Sequence, residues 1–387
     1  MKLKNWFIAL VLGLVAVACT GNDDPGTDES EKGLVLKSSA TYILNDGNDE
    51  ALFSVMMDGK DVTAQSTIYQ KVNGTSTVYS GYSFKSTETG KYVFFASYEG
   101  KLTSELTIEV VKEKLDLPED TNPDKFDGFR KRVLLTEGTS LDCNICPRMI
   151  AGIQEFKKLN TNGDAIITVV HGVKGHDSFF TAATDIIANQ MFTKGNISGV
   201  PATVVNMKIN EAIGVMSTDS PESVGNNIKK SVDNELQSEA NCAISASVSG
   251  TNVKGISVSA KVKVKTAGKY LMTVWLVEDK LTDSKKQAGI TPDLDAKYDF
   301  DTHNNVVRYV SSTEPIYGTA MGGRESVGEK ETLEFYHTIS PDAFVFNDMQ
   351  NMRVVFIVNR ANENSSQYVT DNVAECPLNQ SIAFEYK

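Results

Sequence analysis

Cys143-Asn144-Ile145-Cys146-Pro147 is the stretch that decides how this chain is read. Upstream of it, Val133-Leu134-Leu135 is an apolar run of strand character. Downstream, Met149, Ile150, Ile153, Phe156 and Leu159 recur at helical spacing. Two thiols three positions apart, between a strand and a helix start, form the layout of a redox dithiol. Amide donors at the helix N-terminus favour a thiolate, so Cys143 is expected to attack and Cys146 to resolve. Asp142 opposes this, because a neighbouring carboxylate disfavours the thiolate. A structural disulfide stapling the helix start fits the same residues equally well. Zinc is a remote third reading, since there is no second Cys-x-x-Cys pair and the four histidines are scattered.

Around this pair the pattern alternates. Ala165–Val170 is a continuous apolar run, hence a buried strand. Phe179–Phe192 is helical in pattern, and Val200–Val205 reads as the next strand. Ser220-Pro221-Glu222-Ser223 starts a further helix, with Ser as cap and Pro at the first position. Residues 129–240 are therefore expected to be an α/β domain. Gly199-Val200-Pro201-Ala202-Thr203 resembles the cis-proline segment that the thioredoxin fold places opposite its Cys-x-x-Cys pair. By that resemblance Pro201 joins Cys143 and Cys146 in the site. His171 and His176 follow the buried strand and are read as loop-end residues rather than proton donors.

The N-terminus indicates the compartment. Lys2 and Lys4 precede an apolar core from Trp6 to Val17, and residues 1–19 read as a secretory signal. Ala16-Val17-Ala18-Cys19 resembles a lipobox, which implies lipidation of Cys19 and a membrane partner reached through that lipid. Residues 20–32 form an acidic tether that resembles the surface-export signal of Bacteroidota lipoproteins. The expected location is the outer membrane, facing the cell exterior.

Residues 33–112 show short strands between Asp58-Gly59, Asn73-Gly74, Thr89-Gly90 and Glu99-Gly100 turns. They resemble a bacterial immunoglobulin-like β-sandwich and are expected to act as a spacer. Residues 113–128, with Pro118 and Pro123, read as an extended linker. Residues 241–387 read as a C-terminal β-sandwich. Within it Ile256, Val258, Ala260, Val262 and Val264 alternate with Ser257, Ser259, Lys261, Lys263 and Lys265, a strand with one wet face. Cys242 and Cys376 lie at its two ends and are expected to pair, closing a loop worth roughly 5 kcal/mol. Asp293, Asp295, Asp299 and Asp301 cluster without the spacing of a calcium loop and read as solvated. Tyr309, Phe335, Tyr336, Phe344 and Phe346 read mainly as core.

A net charge of -12 argues against nucleic-acid partners, and 387 residues with 41% hydrophobic content support several cores. No phosphate loop or Ser/His/Asp motif appears, so no cofactor and no metal is expected. Lys131–Thr139 with Cys143–Pro147, and then Val277–Lys280 and His303–Arg308, resemble the outer-membrane-protein-28-related family of Bacteroidota lipoproteins over residues 130–387. That resemblance implies architecture more than activity, and Asp142 stands where the family has an aromatic residue. Two functions follow. One is a thiol-disulfide oxidoreductase acting on envelope or extracellular proteins. The other is a non-catalytic adhesin or scaffold with a structural disulfide. The residues say nothing about oligomeric state.

Overall fold

The computed structural model describes residues 33–172, 177–194, 197–313, 317–324, 326–361 and 368–387. The expected signal with Cys19 and the tether 20–32 lie outside the described residues, as does His176. Among the described residues no helix is long and apolar enough to cross a membrane. The chain is mixed α and β, with strands predominating.

Residues 34–111 form two sheets around one apolar core. Strands Leu34–Ser38, Ala51–Met57 and Lys60–Asp61 make the first, with Ser83–Phe84 paired to Ala51–Met57. Tyr42–Leu44, Leu106–Val111, Gly90–Tyr98, Thr67–Val72 and Thr75–Tyr79 make the second, with Lys101–Leu102 on Gly90–Tyr98. Ile43, Phe53, Val55, Phe94, Ile108 and Val110 fill the space between them. Asp58-Gly59, Asn73-Gly74 and Glu99-Gly100 each place two successive residues at positive φ, as tight hairpin turns require.

From residue 129 the main elements are β1 (Val133–Thr139), α1 (Cys146–Leu159), β2 (Ala165–His171), α2 (Ala182–Lys194), β3 (Ala202–Val205), α3 (Pro221–Leu236), β4 (Cys242–Thr251), β5 (Gly255–Val264), β6 (Gly268–Glu278), β7 (Val306–Val310), β8 (Glu331–Ile339), β9 (Met352–Ala361) and β10 (Tyr368–Pro377). A nine-stranded sheet runs β3-β1-β2-β7-β6-β9-β10, with two short strands also on β6. A four-stranded sheet runs β8-β5-β4 and ends on Ser381–Ile382. The boundary expected at 240/241 thus divides the chain but not the sheet. β2 is parallel to β1 on one side and to β7 on the other, through Val169 and Val306. The reason is physical: Ala165–Val170 is buried on both faces, and its outer edge needs a hydrogen-bonding partner.

Alternate faces of β1 and β2 pack different helices. Val133, Leu135, Ala165 and Ile167 meet Met149, Ile153 and Phe156 of α1 and Val224, Ile228 and Val232 of α3. Leu134, Ile166 and Val170 meet Ile187, Ala188 and Met191 of α2. Helices α1 and α3 approach closely at Gly152, where a Cβ would fall 2.3 Å from Val224 Cγ1. Ser220 caps α3 as its sequence indicates, accepting from Ser223 N at 3.1 Å.

The wet face expected on β5 is covered. Ser257, Ser259 and Lys263 are buried. The segment 113–128 lies across them: Leu115 N donates to Ser259 Oγ at 2.8 Å, and Ser247 Oγ donates to Asp116 O at 2.6 Å. Lys263 Nζ donates to Asp120 Oδ2 (2.8 Å), Asn122 O (2.7 Å) and Pro123 O (2.9 Å). The rings of Phe126, Phe384 and Tyr386 surround the same ammonium. An alternating strand cannot reveal that a polar segment from elsewhere in the chain will satisfy its lysine. Above this strap of chain, Glu109 Oε1 meets His337 Nδ1 at 2.5 Å, joining the first two sheets to β8.

Lys263→Met removes the ammonium that Asp120 Oδ2, Asn122 O and Pro123 O share, while Asp120 and Asn122 O keep their bonds from Asn122 N and Lys125 N. It is expected to cost roughly 2–3 kcal/mol, since Asp120 retains some solvent contact. Denaturant unfolding of the variant against the parent chain measures this, and an unchanged midpoint contradicts the anchoring role.

Candidate redox site

The site forms where β1 hands over to α1. Cys143 and Cys146 are joined as a disulfide with Cα atoms 5.3 Å apart. Cys143 is half-buried and Cys146 fully buried. Helix α1 has no side-chain cap at Ile145, and Pro147 occupies its first turn. Its leading amide is therefore available to sulfur, and Cys146 N donates to Cys143 Sγ at 3.1 Å. The Val200–Pro201 bond is cis, and Val200 O lies 3.7 Å from Cys143 Sγ. Pro201 immediately precedes β3, the edge of the sheet, where a missing N–H disturbs no ladder. The structure thus brings Cys143, Cys146 and Pro201 together.

Asp142 does not face the pair alone. Lys285 Nζ sits 2.6 Å from its Oδ1 and offsets the charge expected to oppose a thiolate.

Glu137 is a site residue that the sequence reading misses. It follows Val133 and Leu135 at every second residue on β1, so it points to the face under α1. It is 3% exposed, and its Oε1 has no hydrogen-bond partner. Burial pushes its carboxyl up to about 8, against a smaller opposing pull from Lys157. A cavity of about 220 Å³ opens beside it, also lined by Thr139, Lys157, His303, Asn304 and Asn305. The signal that could have found it is a lone carboxylate in the inward register of an apolar strand.

His171 is fully buried, its Nδ1 2.6 Å from Asp177 Oδ2. Asp177 also accepts from Leu141 N (3.0 Å) and Phe179 N (3.0 Å), so these bonds outweigh burial and hold its carboxyl below the usual range. His171 therefore fastens the loop before Cys143 instead of ending a free loop. Beside it, burial first and the neighbouring His171 second lower His303 to about 4.

Cys242 and Cys376, expected as a disulfide, are separate buried thiols. Strand register explains this. Cys242 N and O bond Asp371 and Asn372 of β10, whereas Cys376 lies four residues further along, roughly 13 Å at strand rise. That exceeds disulfide reach of about 7 Å. Burial raises both thiols, Cys376 to about 11. The acidic loop residues pair locally, Asp293 near Arg148 and Asp301 with Lys286, and no metal-holding group of acids, histidines or cysteines occurs among the described residues.

No protein-family model matches the chain, and no curated protein matches it. Among solved structures, HBP35 of Porphyromonas gingivalis is similar at 17% identity and TM-score 0.50, covering 65% of this chain and 76% of that one. At that identity the likeness concerns the fold. The three N-terminal domains of the bacteriophage RB49 Highly Immunogenic Outer Capsid protein align at 8% identity over 90% of this chain and 99% of that one, with a TM-score of 0.17 that supports no comparison.

Two measurements follow. Residues 33–387 should contain two thiols that resist labelling when folded and react when unfolded without reductant; no reactive thiol after unfolding would restore the Cys242–Cys376 bridge. Glu137 binds its proton more tightly folded than unfolded, so it contributes stability below about pH 4.5 that is lost as pH rises through about 8. Glu137→Gln should flatten the fall in melting temperature across that window. Equal slopes in variant and parent would contradict a buried, protonated Glu137.

Proposed function

We propose that this chain is a lipid-anchored outer-membrane protein of Bacteroidota that exchanges disulfides with envelope or extracellular proteins. In this reading Cys19 carries the lipid, residues 33–112 are an immunoglobulin-like spacer, and residues 129–240 are a thioredoxin-like domain presenting the Cys143–Cys146 pair at the cell exterior. The lipobox-like Ala16-Val17-Ala18-Cys19 and the acidic tether support the anchor. Membership of the outer-membrane-protein-28-related family is part of the proposal, supported by the quoted motifs and by fold-level likeness to a protein of Porphyromonas gingivalis.

One observation carries the redox reading. A half-exposed Cys143 sits at a helix N-terminus beside Pro201, while its partner Cys146 is wholly buried. That asymmetry lets an incoming sulfur reach Cys143 alone. A partner thiolate attacks Cys143 Sγ, the Cys143–Cys146 bond breaks, and a mixed disulfide forms. Cys146 leaves as a thiolate and is protonated from the medium. The partner's second thiolate then attacks its own sulfur in the mixed disulfide. Cys143 departs as a thiolate facing Cys146 N–H. The partner loses two electrons to become a disulfide, and the chain gains them as a Cys146 thiol and a Cys143 thiolate, the partner's own thiol protons having gone to the medium.

The alternative is a scaffold whose disulfide only staples the start of α1. Lys285 beside Asp142 and the bonds from Asp177 to the preceding loop favour a rigid segment, which suits that role too. Cys146→Ser expressed in the native envelope separates the two. The redox reading expects reductant-sensitive adducts through Cys143. No adduct, together with a pair whose potential lies below about -300 mV, would leave only the staple.

A further inference from the structure

The connection from β6 to β7 is not a simple turn. Leu281 and His303 pair antiparallel, each donating its N–H to the other's carbonyl at 2.9 and 2.8 Å, and close residues 282–302 into a loop. This strap lies on the candidate site from end to end. Ala288 N donates to Leu141 O at 2.7 Å. Gln287, 4% exposed, directs Nε2 at Ser140 O (3.0 Å), Cys143 O (3.1 Å) and Leu141 O (3.3 Å). Gly289, at φ +74°, passes so close that a Cβ would meet Asn144 O at 2.1 Å. Leu294, Tyr298 and Phe300 then pack on Ala151 of α1, and Tyr298 Oη donates to Glu155 Oε1 at 2.8 Å.

We infer that the strap sets the reactivity of Cys143, with Gln287 as its positioning residue. The inference rests on the redox reading of the same pair. The physical chain is short. The two N–H donors of Gln287 are shared among the carbonyls of 140, 141 and 143, which with Cys143 N on Ser140 O and Ala288 N on Leu141 O keeps the loop's carbonyls on the strap side. Cys146 N–H stays aimed at Cys143 Sγ, where it favours the thiolate over the thiol. A thiolate so stabilised is a better leaving group and makes the reduced form more favourable. Lys285, on the same strap, adds a positive charge opposite Asp142, the carboxylate nearest Cys143 in sequence. Part of what tunes the dithiol therefore comes from residues about 140 positions downstream of it in the chain.

The strap makes this a property of the whole chain, so the test uses residues 33–387 intact. Gln287→Met keeps the shape and removes the donors. After reduction, the Cys143 thiol pKa is read from thiolate absorbance against pH, and the dithiol–disulfide equilibrium from glutathione buffers. Gln287→Met should raise the Cys143 pKa enough to cut thiolate at neutral pH by about tenfold, roughly one pH unit. The equilibrium should move toward the disulfide. Lys285→Ala, an exposed change that threatens folding little, should shift the pKa the same way and lose its effect in high salt. A lower melting temperature with the Cys143 pKa and the glutathione equilibrium unchanged in both variants would make the strap merely structural and overturn the inference. A parent pair that no glutathione buffer reduces would instead overturn the redox reading itself, and the parent chain alone reveals that.

Discussion

The edge of β2 dictates the architecture around the site. A parallel strand buried on both faces leaves one row of amides and carbonyls that neither water nor a helix can satisfy. Here Val169 N donates to Asn305 O at 2.7 Å, and β7 takes the open edge. Asp279 and Arg353 secure the junction: Asn305 N donates to Asp279 Oδ1 at 2.7 Å, and Arg353 bonds both Asp279 (2.7 Å) and Asn305 Oδ1 (2.8 Å). With β7 paired to both β2 and β6, the β6–β7 connection runs past the end of β1, where Ala288 N meets Leu141 O. The strap over the loop at Cys143 is part of that same connection. Its end is the outer wall of the cavity beside Glu137.

The local half of this site is legible in the chain. Cys143, Cys146 and Pro201 each carry a signal that depends only on neighbours: a strand ending, a helix beginning, a proline where a buried strand would reject one. Ser220 as a helix cap and the paired residues of the hairpin turns are legible for the same reason. Residues whose role depends on distant chain are not. Gln287 lies in a polar stretch with no periodicity, and nothing near it in sequence marks three backbone carbonyls as its partners. Lys263 reads as solvated because alternation describes one strand and is silent about what covers it. The Cys242–Cys376 expectation fails through register: two cysteines at the ends of a domain say nothing about which rung of a sheet each occupies, and four residues along a strand exceed what a disulfide spans.

Three of the buried charged groups among the described residues are handled differently, and the differences bear on structure and chemistry. Lys263 is satisfied by four oxygens and three rings, which is an anchor. Asp177 is satisfied by His171 Nδ1 and two backbone amides, which fixes a loop, although His171 Nε2 has no hydrogen-bond partner. Glu137 is different. One of its oxygens has no partner, its carboxyl is pushed up to about 8, and a polar cavity adjoins it. A group kept for packing alone would be cheaper as an apolar side chain of similar size. An unmatched carboxyl beneath the helix that begins at Cys146 is the feature that a purely structural staple leaves without an explanation.

Rigidity around a disulfide is usually taken as the mark of a staple, and this site is rigid. Asp177 holds Leu141 N, Gln287 holds three carbonyls, and Lys285 meets Asp142. Each of these contacts falls on the backbone of the loop or on Asp142. Cys143 Sγ itself meets Cys146 N and Val200 O. A staple gains from burying both sulfurs, because a sulfur left accessible is open to exchange. Holding the backbone still while leaving one sulfur accessible does something else. It holds the Cys146 amide against Cys143 Sγ in the disulfide seen here. A fixed backbone with Cys143 partly exposed and Cys146 buried is the arrangement on which the proposed exchange reaction relies.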